Sequence, residues 1–107
     1  MCRRASGAVA LTFVIFPSQS VTWLAPPARY DSSAFAWRQF CADCGTPLAY
    51  NFRERPETVA VTLGSLDHPE RAPAHYSIWL EDRLPWLKLD DHLPGFPRWR
   101  FPPTGQS

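Results

Sequence analysis

The sequence is poor in lysine, in cysteine and in long apolar runs, and each shortage excludes a class of protein. Lys88 is the only lysine among 107 residues, and the formal net charge is +1. The other ten basic residues are arginines spread along the chain, several of them beside acidic residues. Binding to nucleic acid requires clustered lysine and arginine side chains that neutralise phosphates. We therefore expect no nucleic-acid partner.

Three cysteines are too few, and odd in number, for the disulfide framework of a small secreted protein. This shortage favours a reducing, cytoplasmic location. The longest apolar run, residues 8–16, is far too short to cross a bilayer, so we expect no membrane partner. Arg3 and Arg4 ahead of that run are also typical of a signal peptide, but no small-residue cleavage site follows before Val21. An exported protein with a cleaved start is thus the less favoured interpretation.

The apolar and aromatic content, 45% and 14%, indicates a folded protein, since that much apolar surface offsets the conformational entropy of folding. The length suits one domain with one core. We expect a single domain over residues 1–107, with a frayed tail at residues 102–107.

Short runs rich in β-branched and aromatic residues, bounded by proline, predict a mainly β fold. No sustained helical periodicity is present, so we expect little helix. Beyond residue 69 the chain is rich in proline and tryptophan and is expected to wrap the sheet. The predicted strands are residues 9–16, 21–24, 34–40, 47–52 and 58–63.

The strongest local signal is Cys-Ala-Asp-Cys-Gly at residues 41–45. A tight turn of this type directs Cys41 and Cys44 towards one point, and Gly45 permits the left-handed backbone that such turns need. This pattern predicts half of a tetrahedral zinc site. A redox pair would require the motif to open a helix, whereas the residues that follow here begin a strand. Redox chemistry and inert buried thiols are the weaker alternatives.

Four blocks together carry a resemblance to a known family. They are a Cys-Arg-Arg start, the cysteine turn, a Thr-Leu-Gly-Ser-Leu-Asp segment and an Ile-Trp-Leu-Glu-Asp-Arg-Leu-Pro-Trp segment, at residues 2–8, 40–48, 62–67 and 78–86. In this order and spacing they resemble the glutathione-dependent formaldehyde-activating family, which includes centromere protein V-like proteins. The resemblance implies a β-tent of small antiparallel sheets around a zinc knuckle.

The resemblance also implies zinc as cofactor, with Cys2, Cys41 and Cys44 as ligands. In the family, Cys2 would be the last of three cysteines at a zinc thought to be catalytic. Cys41 and Cys44 would share a structural zinc with an earlier cysteine pair. The upstream cysteines are absent here, so we expect a member that lacks its N-terminal part. Either the start was assigned at an internal methionine, or the chain is a remnant with incomplete metal sites.

The function that the resemblance implies is that of a carbon–sulfur lyase, which interconverts S-hydroxymethylglutathione with glutathione and formaldehyde. The partner would be a small-molecule glutathione adduct. Arg3 or Arg4 would meet a glutathione carboxylate, because guanidinium pairs with carboxylates in bidentate fashion. Solvated arginines are the alternative for this pair. For the whole protein, the alternative is a non-catalytic or degenerate zinc-binding module.

Overall fold

The computed structural model of the protein describes residues 2–72, 75–88 and 92–104. The chain divides into two compact units, one formed by Leu11–Ala72 and the other by Met1–Ala10 together with Pro73–Ser107. The single-domain organisation over residues 1–107 stays a prediction. For residues 105–107, the predicted fraying lies outside the described part of the chain.

The Leu11–Ala72 unit is a five-stranded antiparallel sheet with the strand order β1-β5-β4-β3-β2. Its strands are β1 (Phe13–Pro17), β2 (Ala28–Tyr30), β3 (Ala36–Phe40), β4 (Pro47–Phe52) and β5 (Thr58–Thr62). The prediction of a mainly β fold with little helix is confirmed. In the described residues the longest α-helix is only five residues, and no helix is long and apolar enough to cross a membrane.

One strand prediction was wrong, and one observed strand was not predicted. Residues 21–24 do not form a strand, because Val21 packs on the core instead of pairing with a neighbouring strand. Strand β2 was missed, since it is only three residues long and is defined by its pairing with β3, which no local pattern reveals. The first strand starts later than predicted and includes Pro17, which is tolerated because β1 lies at the sheet edge.

The sheet of this unit buries side chains on both faces, with Ala36 and Tyr50 on one and a small apolar cluster on the other. Alternation along the strands directs Ala49, Val59 and Val61 to the second of these faces, where all three are buried. The apolar side chains that cover them are Phe16, Val21 and Leu66. This packing fixes the register of β4 and β5, because a slip of one residue would turn these side chains to the opposite face.

The second unit contains helix α1 (Cys2–Ser6) and a C-terminal segment held by backbone and ring contacts. Ser77 donates its N–H to Pro94 and accepts one from Phe96, both at 2.8 Å. Trp79 adopts a left-handed backbone with φ of 57°, and its ring meets that of Trp99 edge to face at 5.3 Å. The predicted wrapping of this segment around the sheet stays a prediction.

We expect Val61→Ala to destabilise the protein by roughly 2 kcal/mol, because it removes two methyl groups from a buried site that cannot fully collapse. Val9→Ala is the matched control, since Val9 is 47% exposed against 8% for Val61. Urea unfolding followed by circular dichroism measures both. Equal losses of unfolding free energy for the two variants would contradict the burial of Val61.

Candidate metal-binding site

The cysteine motif forms the turn that joins β3 to β4. Cys41 donates its backbone N–H to the Thr46 carbonyl at 2.9 Å, and Gly45 donates to the Cys41 carbonyl at 2.8 Å. Gly45 has a φ of 81°, in the left-handed region where a side chain is strained. The two hydrogen bonds close the turn in which both cysteines lie, and neither cysteine is helical.

The two thiols interact, and the surroundings favour the thiolate of Cys44. The Cys44 sulfur lies 3.0 Å from the Thr46 Oγ1 atom. Hydrogen bonds from the Thr46 side chain, the Thr46 backbone and the Cys41 thiol lower the pKa of Cys44, against burial and the nearby Asp43 charge, which raise it. Thiolate is the form that binds metal. Cys44 is exposed and Cys41 is half-buried, so the pair is reachable from solvent.

The donor set fits two of the four positions of a thiolate zinc site. Within residues 2–72, 75–88 and 92–104, no three His, Cys, Asp or Glu side chains lie close enough together to hold a metal ion. The turn therefore offers a two-thiol donor set, and none of the three cysteines forms a disulfide.

The remaining predicted site residues lie on α1, in the other compact unit. Cys2 and Arg3 are half-buried there, and Arg4 is exposed. The helix is short, and Gly7 closes its end by donating its N–H to the Arg3 carbonyl at 2.8 Å. Roles for Cys2 as a zinc ligand and for Arg3 and Arg4 as carboxylate ligands stay predictions.

A second feature of the Leu11–Ala72 unit, which we call the tryptophan pocket, was not predicted. It is a cavity of about 240 Å³ on the sheet face that carries Ala49, Val59 and Val61. Its lining residues are Ser18, Val21, Trp23, Trp37, Gln39, Asn51, Phe52, Pro56 and Val59. Asn51 donates its side-chain N–H to the Gln39 Oε1 atom at 2.9 Å, so two amides lie side by side in the pocket.

An arginine pair stands against one wall of this pocket. The guanidinium carbon of Arg29 lies 4.3 Å from the centre of the Trp37 ring, and that of Arg53 lies 5.5 Å from it. Both guanidinium groups bind the same oxygen of Asp31. The hydrogen bond from Arg29, with a further one from Arg53, lowers the pKa of Asp31. No sequence motif signals this cluster, because its members come from three separate segments.

A family model described as glutathione-dependent formaldehyde-activating enzyme matches residues 1–82. The chain belongs to this family. The match includes the Cys-Arg-Arg start, the cysteine turn and the whole sheet of this formaldehyde-activating family member. No curated protein matches the chain.

Gly45→Ala should destabilise the protein by about 1–2 kcal/mol, because it forces a residue with a Cβ atom into left-handed backbone. No neighbouring atom would clash with that Cβ, so the cost is one of backbone conformation alone. Gly64→Ala is the control, since Gly64 is also open to a Cβ and lacks the positive φ. Chemical denaturation compares the two. A Gly45→Ala protein as stable as the parent would contradict the left-handed backbone at this position of the turn.

Thr46→Val should raise the pKa of Cys44 towards that of an ordinary thiol, because the variant removes the hydroxyl that stabilises the thiolate. Less thiolate is then present at neutral pH, and alkylation of Cys44 slows. Iodoacetamide labelling of the metal-free protein across a pH series, read by mass spectrometry of the Cys44 peptide, measures the shift. Thr12→Val, at an exposed loop position, should leave the Cys44 profile unchanged. Identical pH profiles for Thr46→Val and the parent protein would contradict a role for the Thr46 hydroxyl in lowering the pKa of Cys44.

Proposed function

We propose that the protein is a zinc-dependent carbon–sulfur lyase that acts on the adduct of glutathione and formaldehyde. Membership of the glutathione-dependent formaldehyde-activating family over residues 1–82 carries this proposal. The Cys41–Cys44 turn supports it, because two thiols, the kind of ligand that zinc prefers, lie in one short turn. A reducing cytoplasm is the proposed location, since these thiols must stay reduced in order to bind metal.

Cys41 and Cys44 would hold zinc at the turn, and Cys2 would act as a ligand on α1. Bound zinc supplies stabilisation of a sulfur ligand in its thiolate form. In the forward reaction the glutathione thiol gives up its proton and its sulfur attacks the formaldehyde carbon. A carbon–sulfur bond forms as the C=O π bond breaks, and the oxygen takes up a proton to become the hydroxyl group. In the reverse reaction the same bond breaks and the hydroxyl proton leaves.

The basic side chains on α1 would orient the substrate. Arg3 and Arg4 follow Cys2 directly, and glutathione carries two carboxylates. Pairing of a guanidinium with a carboxylate adds directional hydrogen bonds as well as charge, which restricts how the substrate binds. We propose that this pairing positions the glutathione sulfur and does not take part in bond making.

The second candidate function is a non-catalytic zinc-binding module. It is favoured by the two-thiol donor set of the turn, which has no third His, Cys, Asp or Glu ligand beside it in the described ranges. Two thiolates bind zinc far more weakly than four, which contribute about 10–16 kcal/mol in small peptides. Such a module would hold metal at the turn without accelerating the reaction.

The deciding experiment incubates the zinc-loaded protein with glutathione and ¹³C-formaldehyde. Exchange NMR then measures the rate at which the adduct forms and breaks. We expect a rate above that of protein-free and metal-free samples. A rate equal to the spontaneous one, in a sample that retains zinc, would reject the lyase and support the binding module.

Two cysteine variants separate binding from turnover. Cys44→Ser should release zinc from the turn, because a serine hydroxyl is a far poorer ligand than a thiolate. Cys2→Ser should retain the zinc of the turn and lose the acceleration. Metal content after gel filtration, measured by plasma mass spectrometry, is compared with the NMR rate for each variant. Full acceleration by Cys2→Ser would exclude a role for Cys2.

A further inference from the structure

The tryptophan pocket has the features of a binding site that is separate from the cysteine turn. None of its lining residues belongs to the turn at residues 41–46, although both features lie in the Leu11–Ala72 unit. We propose that this pocket binds a small N-acyl amino acid, through its acyl group, its amide and its carboxylate. The proposal is independent of the lyase activity, since it involves neither zinc nor the thiols.

The walls of the pocket suit an apolar, planar acyl group. Trp23 and Trp37 both line it, and Trp23 keeps 37% of its surface exposed. Aromatic rings of this kind gain from stacked or edge-to-face contact with a planar group. The volume of about 240 Å³ lies below the usual range of roughly 300–1,000 Å³ for ligand pockets, which restricts the occupant to a small molecule.

The two side-chain amides match the amide of the ligand. Their mutual hydrogen bond uses one donor of Asn51 and one acceptor of Gln39. Asn51 Oδ1 and Gln39 Nε2 are then left to meet a ligand N–H and a ligand carbonyl. If both amides were turned over, the pair would still present one donor and one acceptor. A peptide-type amide offers the complementary pair of groups.

The arginine pair supplies charge for the carboxylate. Arg29 and Arg53 carry two positive charges, and Asp31 neutralises one of them. Asp31 engages the Nη2 atom of each guanidinium, so the remaining N–H groups can meet a second carboxylate. Both arginines are almost half exposed, so their attraction for an anion is screened and the affinity should be modest.

Strand register places these groups on one face of the sheet. Trp37 lies opposite Asn51 across β3 and β4, and Arg29 lies opposite Gln39 across β2 and β3. Residues 37 and 39 are two apart on one strand, so both pairs point the same way. The acyl, amide and carboxylate contacts are therefore arranged side by side across neighbouring strands.

The test uses hippurate, which is N-benzoylglycine, and its neutral amide as the matched probe. Each is titrated into the metal-free protein while NMR follows the indole N–H signals of Trp23 and Trp37 and the side-chain amides of Gln39 and Asn51. We expect hippurate to shift these signals in a saturable way and to bind more tightly than its amide. No saturable shift with hippurate, or equal affinity for the two probes, would overturn the proposal.

Arg53→Gln tests the role of charge. It should weaken hippurate binding by roughly two- to fivefold, as expected for loss of a half-exposed ion pair, and leave the neutral amide unaffected. Arg71→Gln removes the same charge at an exposed position of the same unit and should change neither affinity. An Arg53→Gln protein that is folded by circular dichroism and binds hippurate like the parent would overturn the carboxylate assignment.

Trp23→Ala tests the pocket itself without altering a strand. It removes a wall from an exposed loop position, so folding should be retained and binding of both probes should be lost. Trp86→Ala, at a 67% exposed position in the other unit, is the matched control and should bind normally. Unchanged binding by Trp23→Ala would overturn the location of the site.

Discussion

Antiparallel pairing of β3 with β4 is the constraint on which the rest of the structure depends. The pairing runs from Ala36 opposite Phe52 to Phe40 opposite Pro47, with an irregularity after Gln39. At its closed end the chain must reverse within the few residues between Phe40 and Pro47, and those residues carry both cysteines. Along its length the same pairing sets Trp37 against Asn51. One hairpin thus positions the thiol pair and the tryptophan pocket.

The cysteine turn and the tryptophan pocket have different surroundings, so they suit different kinds of ligand. At the turn, neutral hydrogen-bond donors gather around one exposed sulfur and favour its thiolate. On the sheet face, two guanidinium groups share one carboxylate beside an indole ring. The first environment suits a cation that binds sulfur. The second carries excess positive charge and suits an anion.

Much of the sheet could be predicted from sequence, because β3, β4 and β5 combine strong β-forming residues with clear breaks at the cysteine turn and in the polar loop before Thr58. The turn geometry was also readable, since Gly45 after Cys-x-x-Cys favours left-handed backbone. Strand β2 could not be predicted, because its three residues depend on hydrogen bonds from β3. Residues 21–24 have a strand-like composition, but tertiary packing of Val21 on the core overrides it.

The arginine cluster illustrates why part of a site escapes sequence reasoning. Arg29 and Asp31 are close in the chain, but Arg53 is 22 residues beyond Asp31 and joins them only after β3 and β4 pair. Scattered arginines beside acidic residues otherwise indicate a solvated surface. The cysteine motif differs, because the geometry of its turn depends on the local backbone alone. The Cys-x-x-Cys-Gly pattern is therefore enough to predict that turn.

The most direct test of the account is X-ray absorption spectroscopy at the zinc edge of the metal-loaded protein. If the β3–β4 turn brings Cys41 and Cys44 to one point, the spectrum should show sulfur neighbours at about 2.3 Å from zinc. Their number should fall in Cys44→Ser. A first shell of nitrogen and oxygen alone, or a sulfur count that is unchanged in that variant, would contradict the convergence of the two thiols on a shared cation.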